Sequence, residues 1–375
     1  MDWINSSDSH VLEPADLYTN ALGDKYPDAC PRYLDSYQGV SGTFYFMGYE
    51  YIRLDNVGGG ADPERAAFRE DRLRASEDPQ ARLKCLDKDG VWGEVLNATW
   101  TLYTLRAPND DLARDCCSVF NDWLTEHCSA EPRRLYGTGM VHLADVDWAV
   151  KELERAAKKG VRSILINIDA RPSWPQYHDP SYDRFWAAAQ DHDLPITLYI
   201  IAGNVKDLFT FHGAERGRIP GETIKLFSEA SWVLSNDFIF GGIFDRFPKL
   251  KVVCSEHEVS WLPHWLYRNR QLCDELGQAA NVIPPKRPVD DYQDQIFHCM
   301  IDDTAWEVCI GHANLKNIAW GSDFPHARCT YPRSQQVVQD LFGNHDPALM
   351  ADLSYYNIAN FFNMALPETR EVGAA

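Results

Sequence analysis

Long apolar segments are missing from this 375-residue sequence, since no run approaches the roughly 20 apolar residues that a membrane-spanning helix requires. The first residues, MDWINSSDSH, also lack the basic region and the apolar stretch of a signal peptide. Basic residues are few relative to acidic ones, and a formal net charge of -19 argues against binding to nucleic acids or anionic membranes. These absences predict a cytoplasmic protein that binds neither nucleic acid nor membrane.

Cysteine motifs are absent as well, because the 10 cysteines are scattered with no CxxC spacing and a single adjacent pair, Cys116 and Cys117. A chain of this length does not depend on a disulfide framework, and a cysteine-based zinc site would need closer spacing. No glycine fingerprint for phosphate binding follows the first strand-like segment, which disfavours a nucleotide-binding fold. The sequence therefore predicts buried, reduced cysteines and no flavin, NAD or iron–sulfur cofactor.

Short apolar runs alternate with amphipathic stretches after Gly90, which is typical of βαβ units and a parallel sheet. Two of these stretches, Val146–Lys159 and Tyr182–Gln190, have apolar residues at helical spacing. Eight strand-like segments favour a closed (β/α)8 TIM barrel of the α/β class over an open doubly wound sheet. They are a segment ending in Asp8-Ser9-His10-Val11, then Trp92–Asn97, Leu135–His142, Arg162–Ile168, Pro195–Ile201, Lys251–Cys254, Gln295–Ile301 and Asn317–Trp320.

Residues 14–80 do not follow this alternation, and we interpret them as a cap inserted after the first strand of a single domain spanning residues 1–375. Within them, GTFYFMGYEY predicts a hairpin, and VGGGADPERAAFREDR predicts a glycine turn followed by a charged helix. Phe44, Tyr45 and Phe46 are candidates for the wall of an apolar substrate site. A dimer surface or a purely structural subdomain explains these aromatic residues equally well.

Polar side chains fall at the carboxyl ends of the first, sixth and eighth predicted strands, where TIM barrels place their chemistry. They are Asp8, His10 and Glu13, then Glu256, His257 and Glu258, then Asp323 and His326. Each residue alone has an ordinary explanation as a helix cap, an ion-pair partner or a hydrogen-bonded core residue. Together they would repel one another or stay half-desolvated without a cation. The set predicts a metal site, and its mixed imidazole and carboxylate ligands suit iron, manganese or zinc.

These motifs resemble the amidohydrolase superfamily, in the amidohydrolase-related branch that includes aminocarboxymuconate semialdehyde decarboxylase. The matching segments are DSHVLEP at 8–14, ARLKCLDKDGVWGEVLN at 81–97, DPSYDRFWAAAQDHDLPITL at 179–198, FPKLKVVCSEHEVSWLP at 247–263 and IAWGSDFPH at 318–326. The resemblance implies metal ligands at Asp8, His10, Glu256 and Asp323. It also places Tyr199 where members usually carry a histidine ligand, and a neutral phenol is a poor substitute for imidazole at zinc.

The missing histidine and the SEHE segment together resemble a small group of TIM-barrel non-heme diiron monooxygenases from platensimycin and platencin biosynthesis. This resemblance implies two iron ions and an external electron donor. The implied ligands are Asp8, His10, Glu256, Asp323 and His326, with Glu13 and His257 completing the second ion site. Tyr199 and His257 are the predicted catalytic residues. The implied reaction hydroxylates a hydrophobic substrate, such as a diterpenoid or an acyl-CoA, with dioxygen. Lys206, Arg216 and Arg218 are candidate contacts for CoA, although ordinary solvated charges explain them better.

Two other functions stay open on the sequence. A metal-dependent decarboxylase or hydrolase with one zinc or manganese ion is the commoner activity of this branch, and the missing histidine counts against it. A scaffold with a decayed metal site is the third interpretation, and the intact DSH and GSDFPH segments argue against it. The resemblance also suggests a homodimer, because many relatives are dimers. Of these functions, the sequence favours the diiron monooxygenase.

Overall fold

All eight predicted strand segments form strands of one parallel sheet in the computed structural model, which describes residues 3–53, 68–202, 228–326 and 328–367. The described strands are β1 (Ile4–His10), β2 (Arg32–Tyr37), β3 (Val40–Phe46), β4 (Tyr51–Arg53), β5 (Val91–Asn97), β6 (Leu135–Met140), β7 (Ser163–Ile166), β8 (Ile196–Tyr199), β9 (Val252–Ser255), β10 (Ile296–Met300) and β11 (Ile318–Trp320). The order of strands in the parallel sheet is β1-β5-β6-β7-β8-β9-β10-β11. A separate sheet contains β2, β3 and β4.

The eight-stranded sheet closes into a barrel between β1 and the residues that follow β11. The His10 amide donates to the Phe324 carbonyl at 2.6 Å, and the Asp323 amide donates to the Asp8 carbonyl at 2.9 Å. Ser9 and Phe324 form the parallel bridge between these two segments. This closure confirms the predicted (β/α)8 TIM barrel, in which the carboxyl ends of all eight strands surround one mouth.

Helices connect the barrel strands and cover their outer face. Val146–Lys159 matches its prediction, because Asp145 accepts a hydrogen bond from the Trp148 amide at 3.1 Å and Gly160 ends the helix at φ 102°. Within the described ranges, no helix is both long and apolar enough to cross a membrane. The other α-helices are Leu17–Leu22, Arg69–Glu77, Pro79–Asp89, Thr101–Thr104, Asp110–Cys128, Asp183–Asp191, Ile243–Arg246, Leu262–Cys273, Glu275–Ala279, Ser334–Phe342, Pro347–Ala351 and Asn357–Phe362.

The amino ends of the barrel strands are covered by the last helix, Asn357–Phe362. Its Ile358 and Phe362 side chains pack in one apolar cluster with Phe297. The indole of Trp92, near the start of β5, donates to the Ala365 carbonyl at 2.7 Å. This packing closes one end of the barrel, which leaves the carboxyl ends of the strands for binding and chemistry.

The small antiparallel sheet lies between β1 and β5 in the chain, within the segment interpreted as a cap. β3 and β4 form the predicted hairpin, and β2 pairs with the other edge of β3. The charged helix is present at Arg69–Glu77, while the predicted glycine turn at 58–60 lies outside the described residues. The Tyr45 ring lies 5.3 Å from that of Trp100, so the small sheet contacts the loop after β5. The division into a barrel and an inserted cap stays an interpretation.

Candidate metal centre

Two overlapping groups of ligand side chains meet at the carboxyl end of the barrel. One contains Asp8, His10 and Glu256, and the other contains His10, Asp323 and His326. The ligand atoms of each group lie within 4.8 Å of one another. Five of the seven predicted metal ligands therefore lie together, although they come from segments more than 240 residues apart in the sequence, like Asp8 and Glu256.

The ring of His10 is oriented for metal binding by a backbone carbonyl. Nδ1 lies 2.8 Å from the Ala98 carbonyl oxygen, so this nitrogen carries the proton and Nε2 keeps its lone pair. Nε2 lies 3.4 Å from Asp323 Oδ1 and 3.7 Å from Asp8 Oδ1. Burial, followed by the charge of His326, lowers the pKa of His10 well below 6.5. The neutral, ligating form of this imidazole is therefore favoured.

The buried carboxylates of the site have oxygens left over for a ligand. Asp8 Oδ1 accepts a hydrogen bond from the Asn97 amide at 2.7 Å. Asp8 Oδ2 is buried, and no described residue donates a hydrogen bond to it, while Asp323 Oδ1 lies 2.8 Å from His326 Nδ1. Burial, followed by the charges of Glu256 and Asp323, raises the pKa of Asp8 well above 3.8. A divalent cation would coordinate these oxygens and offset the clustered charge, so the residues fit a metal ion.

Tyr199, which the family pattern places at a histidine ligand position, lies in the middle of this cluster. Its hydroxyl is 2.7 Å from His10 Nε2 and donates a hydrogen bond to Glu256 Oε2. Burial raises the pKa of Tyr199 well above 10.0, so the phenol keeps its proton. Burial, followed by the charge of Asp323, raises the pKa of Glu256 to about 7. The Tyr199 hydroxyl has one proton and can donate a hydrogen bond to only one of His10 and Glu256. With a cation bound to His10 Nε2, it would donate to Glu256.

His326 forms the accessible side of the cluster, with its side chain 26% exposed. Its ring stacks on the His10 ring with the centroids 3.9 Å apart. Nδ1 lies 2.8 Å from Asp323 Oδ1, and Nε2 lies 3.0 Å from the Thr99 hydroxyl. Burial opposes a positive charge on this imidazole, but the carboxylates of Asp323 and Glu256 more than offset it and raise the pKa of His326 above 6.5. His326 is therefore the group of the site best placed to carry a proton near neutral pH.

The backbone at two of the ligand positions has an uncommon conformation. Glu256 and Asp323 have φ angles of 62° and 55°, in the left-handed region that residues with a side chain rarely adopt. Such conformations cost on the order of 1–3 kcal/mol each and occur preferentially at functional sites. Gly321 lets the backbone after β11 lie close to Asp8, since a Cβ added at this glycine would lie 2.8 Å from Asp8 Cβ.

Glu13 does not join either ligand group. Its carboxylate accepts hydrogen bonds from the amides of Trp100 and Thr101, at 3.0 and 2.8 Å, and from the Thr101 hydroxyl at 2.5 Å. Both oxygens are therefore used to hold the loop that follows β5. These contacts place Glu13 outside both ligand groups, and its role as a ligand of a second ion stays a prediction.

His257 is also separated from the ligand groups, although it follows Glu256 directly. β9 ends at Ser255, and of the two residues that follow it only Glu256 belongs to a ligand group. The His257 ring is buried, and neither of its nitrogens has a hydrogen-bond partner among the described residues. Burial lowers the pKa of His257 to about 3. Neither a ligand role nor a catalytic role follows from this position.

Three consecutive residues contribute to the site without having been identified as site residues in the sequence. They are Asn97, which bonds Asp8, Ala98, which orients His10, and Thr99, which bonds His326. Of the three, only Asn97 could have been found from a local sequence pattern, because it is a polar residue at the end of β5. Ala98 acts through its carbonyl, and Thr99 contacts a partner 227 positions away, so neither leaves a local pattern.

The proposed substrate contacts have mixed outcomes. Phe44, Tyr45 and Phe46 are all buried. Tyr45 packs against Trp100, next to the Thr99 partner of His326, and the role of these rings as a substrate wall stays a prediction. The candidate CoA contacts Lys206, Arg216 and Arg218 lie outside the described residues.

Known proteins with similar sequences share a type of activity in their names. The chain is 25% identical to the gamma-resorcylate decarboxylase of Polaromonas sp. strain JS666 over 268 residues, which are 66% of this chain and 75% of that protein. It is 28% identical to the gamma-resorcylate decarboxylase of Rhodococcus jostii strain RHA1 over 228 residues, covering 58% of this chain and 66% of that protein. The 2-amino-3-carboxymuconate-6-semialdehyde decarboxylase of Dictyostelium discoideum is 23% identical over 254 residues, covering 66% and 67%.

Solved structures share the fold over nearly the whole chain. An amidohydrolase of Mycobacterium avium subsp. paratuberculosis superposes with a TM-score of 0.74 at 18% identity, covering 96% of this chain and 98% of that chain. The dihydroxybenzoic acid decarboxylase of Polaromonas sp. JS666, crystallised with manganese and 2-nitroresorcinol, has a TM-score of 0.65 at 16% identity, covering 99% and 100%.

These comparisons overturn the favoured interpretation of the sequence. The similar proteins are named decarboxylases, so the assignment as an oxidoreductase, and specifically as a non-heme diiron monooxygenase, is wrong. The positions of Glu13 and His257, which were expected to complete the second iron site, agree with this correction. The family model described as amidohydrolase matches residues 104–364. The chain is therefore an enzyme that belongs to the amidohydrolase family.

Proposed function

We propose that the protein is a divalent-metal-dependent decarboxylase of a small aromatic or conjugated carboxylic acid. The observation that carries this proposal is the pair of ligand groups that share His10, together with the buried Asp8 Oδ2, to which no described residue donates a hydrogen bond. The names of the similar proteins support the reaction, and the manganese in the structure of the dihydroxybenzoic acid decarboxylase supports the ion. Manganese accepts mixed imidazole and carboxylate ligands of this kind.

Asp8, His10, Glu256 and Asp323 would hold the ion, since their ligand atoms converge at the barrel mouth. A bound divalent ion would orient the substrate carboxylate and withdraw electron density from it. The buried phenol of Tyr199 supports this set by donating a hydrogen bond to Glu256, which fixes the direction of that carboxylate. The substitution of tyrosine for the usual histidine is then compatible with metal binding through the other residues.

Decarboxylation breaks the bond between the substrate carbon and its carboxylate, and the electron pair of that bond stays on the carbon. Carbon dioxide leaves, and one proton must take its place. His326 can supply this proton, because its ring is on the accessible side of the cluster and its Nδ1 faces the Asp323 carboxylate. Asp323 and the Thr99 hydroxyl hold the imidazole in a fixed direction, at 2.8 and 3.0 Å.

Aromatic side chains beside this proton donor favour a flat substrate. Thr99, which contacts His326, precedes Trp100 in the loop after β5. The Trp100 ring lies 5.3 Å from the Tyr45 ring and 6.4 Å from the Tyr33 ring. Offset and edge-to-face packing with such rings stabilises an aromatic ligand. A hydroxylated benzoate or a conjugated dicarboxylate combines this shape with the anionic group that a cation would bind.

The test is to strip the purified protein with EDTA, reload it with Mn²⁺ and offer hydroxylated benzoates and conjugated dicarboxylates while carbon dioxide is measured. We expect release by the reloaded protein and none by the stripped protein. His326→Gln should keep its manganese but slow turnover by about 100-fold or more, as loss of a general acid does. His345→Gln is the matched control, because that histidine bonds Glu307 away from the site. A manganese-loaded protein that releases no carbon dioxide from any of these acids would refute the proposal.

A further inference from the structure

A buried ion pair lies on the outer face of the barrel, directly behind the metal centre. Arg82, in the helix Pro79–Asp89, and Glu94, on β5, are both 0% exposed. Nε and Nη2 of Arg82 donate to the two oxygens of Glu94, the second at 2.9 Å. A bidentate pair of this kind fixes both the position and the plane of the guanidinium.

The remaining hydrogen bonds of Arg82 reach the backbone on both sides of the barrel closure. Nη1 donates to the His10 carbonyl at 2.6 Å, and Nη2 donates to the Phe324 carbonyl at 3.2 Å. The guanidinium also lies 5.0 Å from the centre of the Phe324 ring. One side chain therefore contacts the backbone of His10 and of the residue that follows Asp323.

The guanidinium supplies a donor that the backbone does not supply at this point. The His10 amide donates to the Phe324 carbonyl at 2.6 Å, as a parallel ladder requires. In such a ladder the His10 carbonyl would accept from the amide two positions after Phe324, but the His326 amide donates to the Asp323 carbonyl at 2.9 Å instead. Arg82 Nη1 donates to the His10 carbonyl in place of a backbone amide, so the last hydrogen bond that closes the barrel comes from a side chain.

The ligand cluster depends on this closure, because its ligands come from both sides of it. His10 Nε2 and Asp323 Oδ1 lie 3.4 Å apart across the junction. Lower in the barrel, the hydroxyls of Ser6, Ser9 and Ser322 lie 2.9 to 3.1 Å from one another and join the same two segments. Side-chain hydrogen bonds thus set the distance between β1 and the segment after β11.

We propose that Arg82 is a positioning residue for the metal centre. It holds the carbonyls of His10 and Phe324 so that the His10 and Asp323 side chains address one ion. The inference rests on the metal-binding part of the proposed function, and it concerns a residue that does not contact the substrate. Residues that orient metal ligands in this way typically change metal affinity by about 10- to 100-fold when they are replaced.

Arg82→Lys is the informative variant, because lysine keeps the charge beside Glu94 but has no planar fork to reach two carbonyls as well. Arg134→Lys is the matched control. Arg134 donates to the carbonyls of Val91 and Trp92, at 3.1 and 2.6 Å, near the amino end of β5 and away from the ligands. Manganese affinity is measured by calorimetry on stripped protein without substrate, and the bound Mn²⁺ is examined by electron paramagnetic resonance. We expect about 10- to 100-fold weaker binding and an altered spectrum for Arg82→Lys, and wild-type values for Arg134→Lys.

A double variant, Arg82→Met with Glu94→Leu, removes both buried charges at once and leaves no unpaired ion in the core. It should stay folded and should bind manganese as weakly as Arg82→Lys. Equal manganese affinity in wild type and Arg82→Lys, or an equal loss in Arg134→Lys, would overturn the positioning role. A wild-type protein that binds no manganese would instead refute the metal site itself, and this inference with it.

Discussion

Replacing Glu256, a proposed metal ligand, with glutamine should stabilise the metal-free protein. Burial, followed by the charge of Asp323, raises the pKa of Glu256 from 4.5 to about 7. As the pH rises from 4.5 to about 7, the glutamate ionises in the unfolded chain before it ionises in the folded one. The free energy of unfolding therefore falls by about 1.4 kcal/mol per pH unit in that window and stays lowered above it, by up to about 3 kcal/mol.

Glu256→Gln removes this ionisation and still offers an oxygen to the Tyr199 hydroxyl. We expect the stripped variant to exceed the stripped wild type in stability by up to about 3 kcal/mol at pH 8, and by much less at pH 5. The buried histidines other than His326 titrate in both proteins, so their contributions largely cancel in the difference, whereas the pKa of His326 loses the part of its rise that is due to Glu256. The same variant should bind manganese poorly, because a neutral amide is a weaker ligand than a carboxylate.

The assay is urea unfolding of EDTA-treated wild type and variant at pH 5 and pH 8, followed by tryptophan fluorescence. Elemental analysis after manganese loading gives the metal content of each protein. A stability difference that does not grow between pH 5 and pH 8 would refute the reasoning about the charge of Glu256. A variant that retains full manganese would show that this residue is not a ligand.

Three further substitutions test individual positions of the site. Tyr199→Phe should keep its manganese and slow turnover, because the buried phenol acts as a hydrogen-bond donor, and complete loss of metal would contradict that role. Gly321→Ala should lose metal, since its Cβ would lie 2.8 Å from Asp8 Cβ, whereas Gly93→Ala, with its nearest atom at 3.4 Å, should not. Similar metal contents in these two variants would argue against the importance of that close approach. Glu13→Gln should keep its metal but lose about 1–3 kcal/mol of stability in urea unfolding, because its side-chain NH₂ group would face backbone N–H donors. Loss of manganese in this variant would show that Glu13 is a ligand.

The barrel was predictable because its signals are local. Strand-like runs alternate with helical patterns, and the observed strands differ from the predicted ones mainly at their ends, as where β6 ends at Met140 instead of His142. The pairing of Asp8 and His10 on one side of β1 follows from strand geometry alone. Convergence of strand-end residues follows in turn from the closed parallel sheet.

The roles of Glu13 and His257 were not predictable, because they depend on contacts between distant segments. Glu13 lies three residues after His10, but its carboxylate accepts a hydrogen bond from Thr101, 88 positions further along the chain. His257 follows Glu256, but its ring lies outside both ligand groups. The reaction was beyond the sequence for another reason, since imidazole and carboxylate ligands on one fold serve both oxidation and decarboxylation.

The central claim is that the carboxylate of the substrate leaves as carbon dioxide and is replaced by a proton. The most direct measurement is a turnover of the manganese-loaded protein in deuterium oxide without dioxygen, with carbon dioxide quantified and the product examined by mass spectrometry. The account predicts one molecule of carbon dioxide and one deuterium, on the carbon that lost the carboxylate, for each molecule of product. A product that retains its carboxylate and gains an oxygen atom, or a reaction that proceeds only with dioxygen, would contradict it.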